Sequence, residues 1–240
     1  MSKPTGRQEE WGNMLLGMLP RAARDKLENA CELVNLRRGE TIFEPGPISH
    51  LYFPRDAIIG MLITMEDGSA VESGIIGREG MFPVCLFLGL PKVPYRAVVH
   101  VPGSAWRIPV RVLQRTLRSI PELSFVLMRF TAAFLAQVSV AAACNQSHTV
   151  LARFSRRLLM ISDRLQSNHI VMTQQEFAQC LGVRRMTIGD ALRHLEVDGL
   201  IESRRGLIIL RHREGLKKQA CECYERISHA YHIVNLHVGG

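Results

Sequence analysis

Apolar positions change their spacing along this chain. Between residues 14 and 34 they fall on a helical repeat at Met14, Leu15, Met18 and Leu27, with Pro20 breaking the pattern. From Leu36 to about Ile108 the helical spacing disappears. Short apolar runs ("LYF", "AIIGMLI", "AVESGII") alternate with turn residues at Arg38-Gly39, Glu44–Pro47, Pro54–Asp56 and Glu66–Ser69. Several short strands at this spacing predict a sandwich or barrel. Asp67-Gly68 predicts a hairpin, because glycine reaches positive φ without a steric penalty.

Pro109 and Pro121 bracket a short helix over Val110–Ser119, and a long helix follows from about Pro121 to Asn145. That helix carries two apolar stripes, and both need cover. Leu127, Phe130, Phe134, Gln137 and Ala141 alternate by three and four, the period of a coiled-coil seam. They are expected to meet a twin helix, with Gln137 as the polar residue that sets register. Met128, Leu135, Val138 and Ala142 form the second stripe, expected to pack on the β-rich domain. A central helix in a monomeric core is the competing arrangement. "NQSH" at 145–148 reads as a hinge, and "TVLARFSRRLLMISDRL" as a further helix.

Thr173 and Glu176 spell a capping box, so a helix is predicted from Gln174 to the glycine stop at Gly182. The next helix, about Arg184–Val197, turns Ile188, Leu192 and Leu195 inward. Arg185, Met186, Gly189, Asp190 and Arg193 are left on the outer face. Two short helices joined by a tight turn make a helix-turn-helix. Two predicted strands around Ser203-Arg204-Arg205-Gly206 add a wing. In such units the start of the second helix reaches base edges in the major groove, where arginine can fork onto guanine. Base contact is therefore expected from Arg185, Met186, Gly189 and Asp190, and phosphate contact from Thr173, Arg184, Thr187, Arg193, Arg204 and Arg205. The domains read as 1–120, 121–147 and 148–240.

Charge sharpens this picture. The chain of 240 residues is 47% apolar and 22% charged, a globular composition. Residues 1–110 hold 12 basic and 12 acidic side chains, whereas residues 111–240 hold 18 and 10. All of the net +8 sits in the second half, as expected of a unit that meets a polyanion or, alternatively, of a solvated basic surface with no partner. The N-terminal stretch has no export signal, and the six cysteines show no disulfide spacing, so a cytoplasmic protein with reduced thiols is expected. The uncharged run from Phe130 to Cys144 is shorter than the about 20 residues a bilayer span needs, so no membrane partner is expected.

The order of β-rich domain, long helix and winged helix-turn-helix resembles the cyclic-AMP receptor/fumarate-nitrate regulator (Crp/Fnr) superfamily of bacterial transcription regulators. "LRRGETIF", "EDG" and "GREGMF" resemble its β-roll turns, and "MTQQEFAQCLGVRRMTIGDALRHLEVDGLI" resembles its DNA-binding signature. "AACNQSH", "LLMISDRL" and "ACECY" resemble a subgroup whose effector stays open. The resemblance covers nearly the whole chain. It implies an α+β fold: an N-terminal β-roll of the cyclic-nucleotide-binding jelly-roll type, a long dimerisation helix and a C-terminal winged helix-turn-helix. It also implies a homodimer on two half-sites of double-stranded DNA, in contact with RNA polymerase.

The matches to the family's outer recognition positions are Arg185, Met186 and Asp190, where the family often has Arg, Glu and Arg. A recognition sequence different from the family's commonest one, or weaker specificity, is expected. Where cyclic-nucleotide binders place an Arg-Ser pair on the phosphate, this chain has Val93-Pro94, and Glu79 alone does not make that site. Control by cyclic AMP is therefore not expected. No cysteine precedes Cys31, which argues against the family's N-terminal iron–sulfur cluster, and no cofactor is expected. Cys144 and His148 are expected to be packing residues of the seam rather than metal ligands. Cys180, if exposed, could sense oxidation beside DNA; a buried, inert thiol is the blander alternative. No catalytic constellation is visible, so the chain reads as no enzyme. The rival function is a ligand- or redox-sensing module whose DNA-binding half is degenerate or makes protein contacts.

Overall fold

The computed structural model describes residues 11–86 and 88–236. Residues 1–10, on which most of the expectation of no export signal rests, lie outside this range. The first helical pattern is shorter than the sequence suggests. It gives α1 (Met14–Gly17) and α2 (Arg21–Glu28), after which the chain becomes strand. Asn13 pins this start: its Oδ1 accepts from the Leu15 and Leu16 amides, and its Nδ2 donates to the carbonyls of Pro54 and Gly80.

Among the described residues, nine short strands build the β-roll: β1 (Glu32–Leu36), β2 (Thr41–Phe43), β3 (Gly46–Pro47), β4 (His50–Pro54), β5 (Ile58–Thr64), β6 (Ala70–Ile76), β7 (Lys92–Val93), β8 (Arg96–Val101) and β9 (Gly103–Pro109). They form antiparallel sheets of order β1-β9-β4 and β2-β8-β5-β6, with β3-β7 as a small ribbon. The hairpin predicted at Asp67-Gly68 joins β5 to β6; Gly68 has φ +80° and the Asp67 carboxylate accepts from the Ser69 amide. Leu51, Phe53, Ile59, Ile75, Ala105 and Ile108 are fully buried in the roll.

Next come α3 (Val110–Ser119) and α4 (Pro121–Ser147). The long helix corrects the expected seam. Leu127, Phe130, Phe134, Gln137 and Ala141 are all buried within the chain itself, covered by β6 and the C-terminal helix. Gly80 makes this packing possible: a Cβ there would lie 2.4 Å from the Phe130 ring. The exposed face has the same three-four rhythm, running through Phe125, Met128, Ala132, Leu135, Ser139 and Ala142. Phe125, Met128 and Leu135 are 54%, 53% and 65% exposed, unusual for large apolar side chains on one helix face. Of the second stripe, Met128, Leu135 and Ala142 are exposed rather than packed on the β-rich domain, whereas Val138 is half-buried against the core. By length and hydropathy α4 would also pass as a bilayer span, yet one whole face of it is core.

The helix breaks at His148, which adopts an extended conformation (φ −119°, ψ 149°). Thr149 caps α5 (Val150–Leu165) by accepting from the Ala152 amide. After β10 (His169–Ile170) come α6 (Gln174–Leu181), α7 (Arg185–Val197), β11 (Ile201–Arg204), β12 (Leu207–Leu210), α8 (Arg213–Gln219) and α9 (Cys223–Ile233). The strands form a three-stranded sheet of order β10-β12-β11. Helix α9 returns along α4 and α5.

Candidate nucleic-acid interface

The capping box forms as read. The Thr173 hydroxyl accepts from the Glu176 amide at 3.2 Å, and the Glu176 carboxylate accepts from the Thr173 amide at 2.6 Å. Gly182 ends α6 at φ +62°, a left-handed conformation in which a side chain would be strained. Helix α7 then buries Ile188, Ala191, Leu192 and Leu195 against α5, α6 and β11. Its opposite face is open. Arg184, Arg185, Met186, Asp190 and Arg193 are exposed, and Thr187 is half-buried. Met186 is 81% exposed, which burial energetics alone would not favour. A Cβ on Gly189 would touch only the Gln174 amide oxygen, at 3.7 Å, so this part of the helix surface lies open to a ligand's approach.

The wing is tighter than the four-residue turn expected. Arg204 pairs with Leu207 inside the sheet, leaving Arg205-Gly206 as a two-residue tip with Gly206 at φ +76°. Between tip, α6 and α7 lies a cleft of about 580 Å³, bordered by Thr173, Gln174, Gln175, Arg185, Arg204 and Arg205. Gln174 and Gln175 were missed in the sequence. They sit in the first turn after the cap, where only the assembled fold brings them beside Arg185.

The basic side chains divide into two groups. Arg193 is paired with Asp190, and Arg204 donates to Glu202 at 2.7 Å. The side chains of Arg184, Arg185 and Arg205 have no hydrogen bond or ion pair among the described residues. Thr173, expected at a phosphate, already directs its hydroxyl proton to Glu176 at 2.7 Å.

A second set of charges is buried where this unit docks on the β-roll. Arg157 of α5 forks onto Glu72 of β6, which also lies 2.5 Å from His100 Nε2. Arg164 donates to Glu79 at 2.7 Å and to the Gln137 side-chain oxygen at 2.7 Å. Gln137 in turn donates to the Ile75 carbonyl at 2.9 Å. Its polar group therefore serves the chain's own core. Arg38 of the roll donates to Glu176 at 2.8 Å, tying the first helix of the helix-turn-helix to the β-roll. Burial works against the Glu176 charge, but the hydrogen bonds from Arg38 and Thr173 outweigh it and hold its carboxyl down at about 2. Burial likewise opposes a charged His100, but Cys180 and Glu72 overcome it and raise its pKa above the usual histidine range.

Cys180 is buried, 3.5 Å from His100 Nε2, as the buried-thiol alternative has it and not as an exposed redox sensor beside DNA. One cysteine expectation changes. Cys144 and His148 do not face a subunit seam. They converge with Cys221 and Cys223 of the same chain.

Known proteins align with this geometry. Residues 152–219 match the Crp-like helix-turn-helix domain family. The global nitrogen regulator of Synechococcus elongatus is 23% identical over 199 residues, covering 79% of this chain and 89% of the relative. Among solved structures, FixK2 of Bradyrhizobium japonicum has a TM-score of 0.67 at 20% identity, covering 80% of this chain and 98% of its own. CLP of Xanthomonas campestris, a c-di-GMP-responsive global regulator, has a TM-score of 0.65 at 18% identity, covering 80% and 99%. Residues 152–219 are a Crp-like helix-turn-helix domain, and the chain around them has the fold of the Crp/Fnr transcription regulators.

Proposed function

We propose that this chain is a sequence-specific regulator of transcription that binds double-stranded DNA in the cytoplasm as a homodimer. One observation carries the reading: the exposed face of α7 is led by an unpaired Arg185 and flanked by the unpaired Arg205 of the wing. Two arginines held without carboxylates around a concave cleft suit an anionic ligand, and their placement suits a duplex. Arg185, Met186, Gly189 and Asp190 face the bases; Arg184, Thr187, Arg193, Arg204 and Arg205 meet phosphates.

The twin helix lies on the exposed stripe of α4. Ala132, Ser139 and Ala142 allow close approach there, and Phe125, Met128 and Leu135 supply the apolar contact. The pair spaces its recognition helices for half-sites about one turn of duplex apart, roughly 34 Å. RNA polymerase is the expected partner at the promoter.

Cyclic AMP is not the controlling ligand. Glu79, the only match to the nucleotide turn, is fully buried and already accepts from Arg164 and from the Gly77 amide. Selecting bound sequences from a random duplex pool tests the whole reading. A two-part site with related halves is expected. Recovery of no enriched sequence at low salt would refute it.

A further inference from the structure

We infer that Cys144, His148, Cys221 and Cys223 form a closed tetrahedral site for a single thiophilic divalent ion, Zn²⁺ foremost, which ties the end of α4 to the start of α9. The four side chains come from two segments far apart in sequence. Cys144 lies in the last turn of α4 and His148 at its C-cap; Cys221 and Cys223 flank Glu222 at the entry to α9. One ligand atom from each lies within 4.8 Å of all the others.

The spacings fit one ion. Cys144 Sγ and Cys221 Sγ are 3.5 Å apart, and Cys223 Sγ is 3.7 Å from His148 Nδ1. A tetrahedral zinc with Zn–S of about 2.3 Å and Zn–N of about 2.0–2.1 Å has edges of roughly 3.6–3.8 Å. An iron–sulfur cluster would instead wedge its thiolates apart with its own sulfides. The Cys144 and Cys221 sulfurs are also far from the about 2.05 Å of a disulfide, and the three cysteines and the histidine converge without a covalent bond between them.

Two features of the surroundings point the same way. The other imidazole nitrogen, His148 Nε2, lies 3.1 Å from the Glu222 carboxylate. A proton held there leaves Nδ1 free to ligate and orients the ring, the usual outer support of a metal-bound histidine. Three thiolates and a neutral imidazole around a dication carry a net charge of about −1. Arg156, buried beside the site and electrostatically coupled to Cys144 and Cys221, answers it. Without such an anion its position has little explanation: its Nη1 meets only the Met160 sulfur at 3.3 Å, and its buried Nε has no partner among the described residues.

Four protein ligands leave no open position, so the ion is structural. It clamps the hinge at His148, where the chain leaves α4 for α5. This inference stands apart from the DNA-binding reading, because metal content is measured without DNA.

The experiment uses the full chain, purified under reducing conditions without chelator. Elemental analysis should find about one zinc per chain. Chelation followed by Co²⁺ titration should give one equivalent of uptake, with thiolate-to-cobalt charge-transfer bands and the d–d bands of a tetrahedral site. Cys221→Ser and His148→Ala should weaken uptake at least tenfold and change those bands, whereas Cys31→Ser, remote from the site, should leave them intact. Should the ligand variants fail to fold, hydrogen exchange on the wild-type chain decides: metal should slow exchange around residues 144–150 and 221–226. Absence of metal with no cobalt uptake would overturn the inference. So would iron accompanied by acid-labile sulfide, or cobalt bands unchanged in folded Cys221→Ser.

Discussion

Arg185 and Arg205 are set apart from Arg193 and Arg204 by the carboxylates they lack. An arginine held by Asp190 or Glu202 must exchange one charged partner for another before it can meet a phosphate, so its net gain is smaller. Arg185→Ala should cost about 1–3 kcal/mol on the preferred duplex and relax selectivity at one base position. Arg205→Ala should weaken all sequences alike and lower the slope of log K against log salt by about one. Fluorescence anisotropy on specific and scrambled duplexes over a salt series separates the two; identical behaviour would contradict the division between base and phosphate contacts. At this scale the sequence was informative where a periodicity fixed direction, as for Ile188, Leu192 and Leu195. It was silent where a partner comes from another element: nothing beside Thr173 announced that Arg38 clamps its capping box.

Helix α4 shows where element-level reading stops. Its length, its proline start and its two stripes were all legible, since they depend on local spacing. Which stripe faces inward was not, because both are apolar and the choice is made by β6, α9 and the room that Gly74 and Gly80 leave for Phe134 and Phe130. Gln137 misled for a related reason. A polar residue in a heptad often sets register between subunits, but here its amide bridges Ile75 and Arg164 within one chain. Leu135→Glu places a charge in the middle of the exposed stripe. It should leave the subunit folded and weaken self-association by about 3–5 kcal/mol, the cost of burying an unpaired charge. Sedimentation velocity with circular dichroism checks this; an undisturbed dimer would move the twin helix elsewhere.

In the whole molecule, the β-roll, long helix and winged unit appear in the order the sequence implied, because each has its own periodicity. What holds them together was hidden. Beside a shared apolar core, the ties include ion pairs between distant segments, and pairwise charge leaves no periodic trace. Arg38 to Glu176 is the most accessible of them. A carboxylate whose pKa is lowered by folding adds stability above its usual value near 4.5, and that contribution fades as pH falls toward about 2. In Arg38→Ala, Glu176 should titrate closer to 4.5, and the stability lost between about pH 4.5 and 2 should shrink. Carboxyl NMR titration reads the first and chemical denaturation across pH the second. An unchanged Glu176 titration would show that the capping box alone sustains the shift.

Helix α5 carries Arg157 and Arg164 on one rigid rod, and both reach into carboxylates of the same strand and its following turn. Such a rod cannot slip by degrees. A small rotation would strip both guanidinium groups of their counter-charges in a dry setting before any new partner came within reach, so intermediate angles are steeply uphill. The reading head is thereby confined to a few discrete seats, and any signal that repositions it has to act as a threshold rather than a dial.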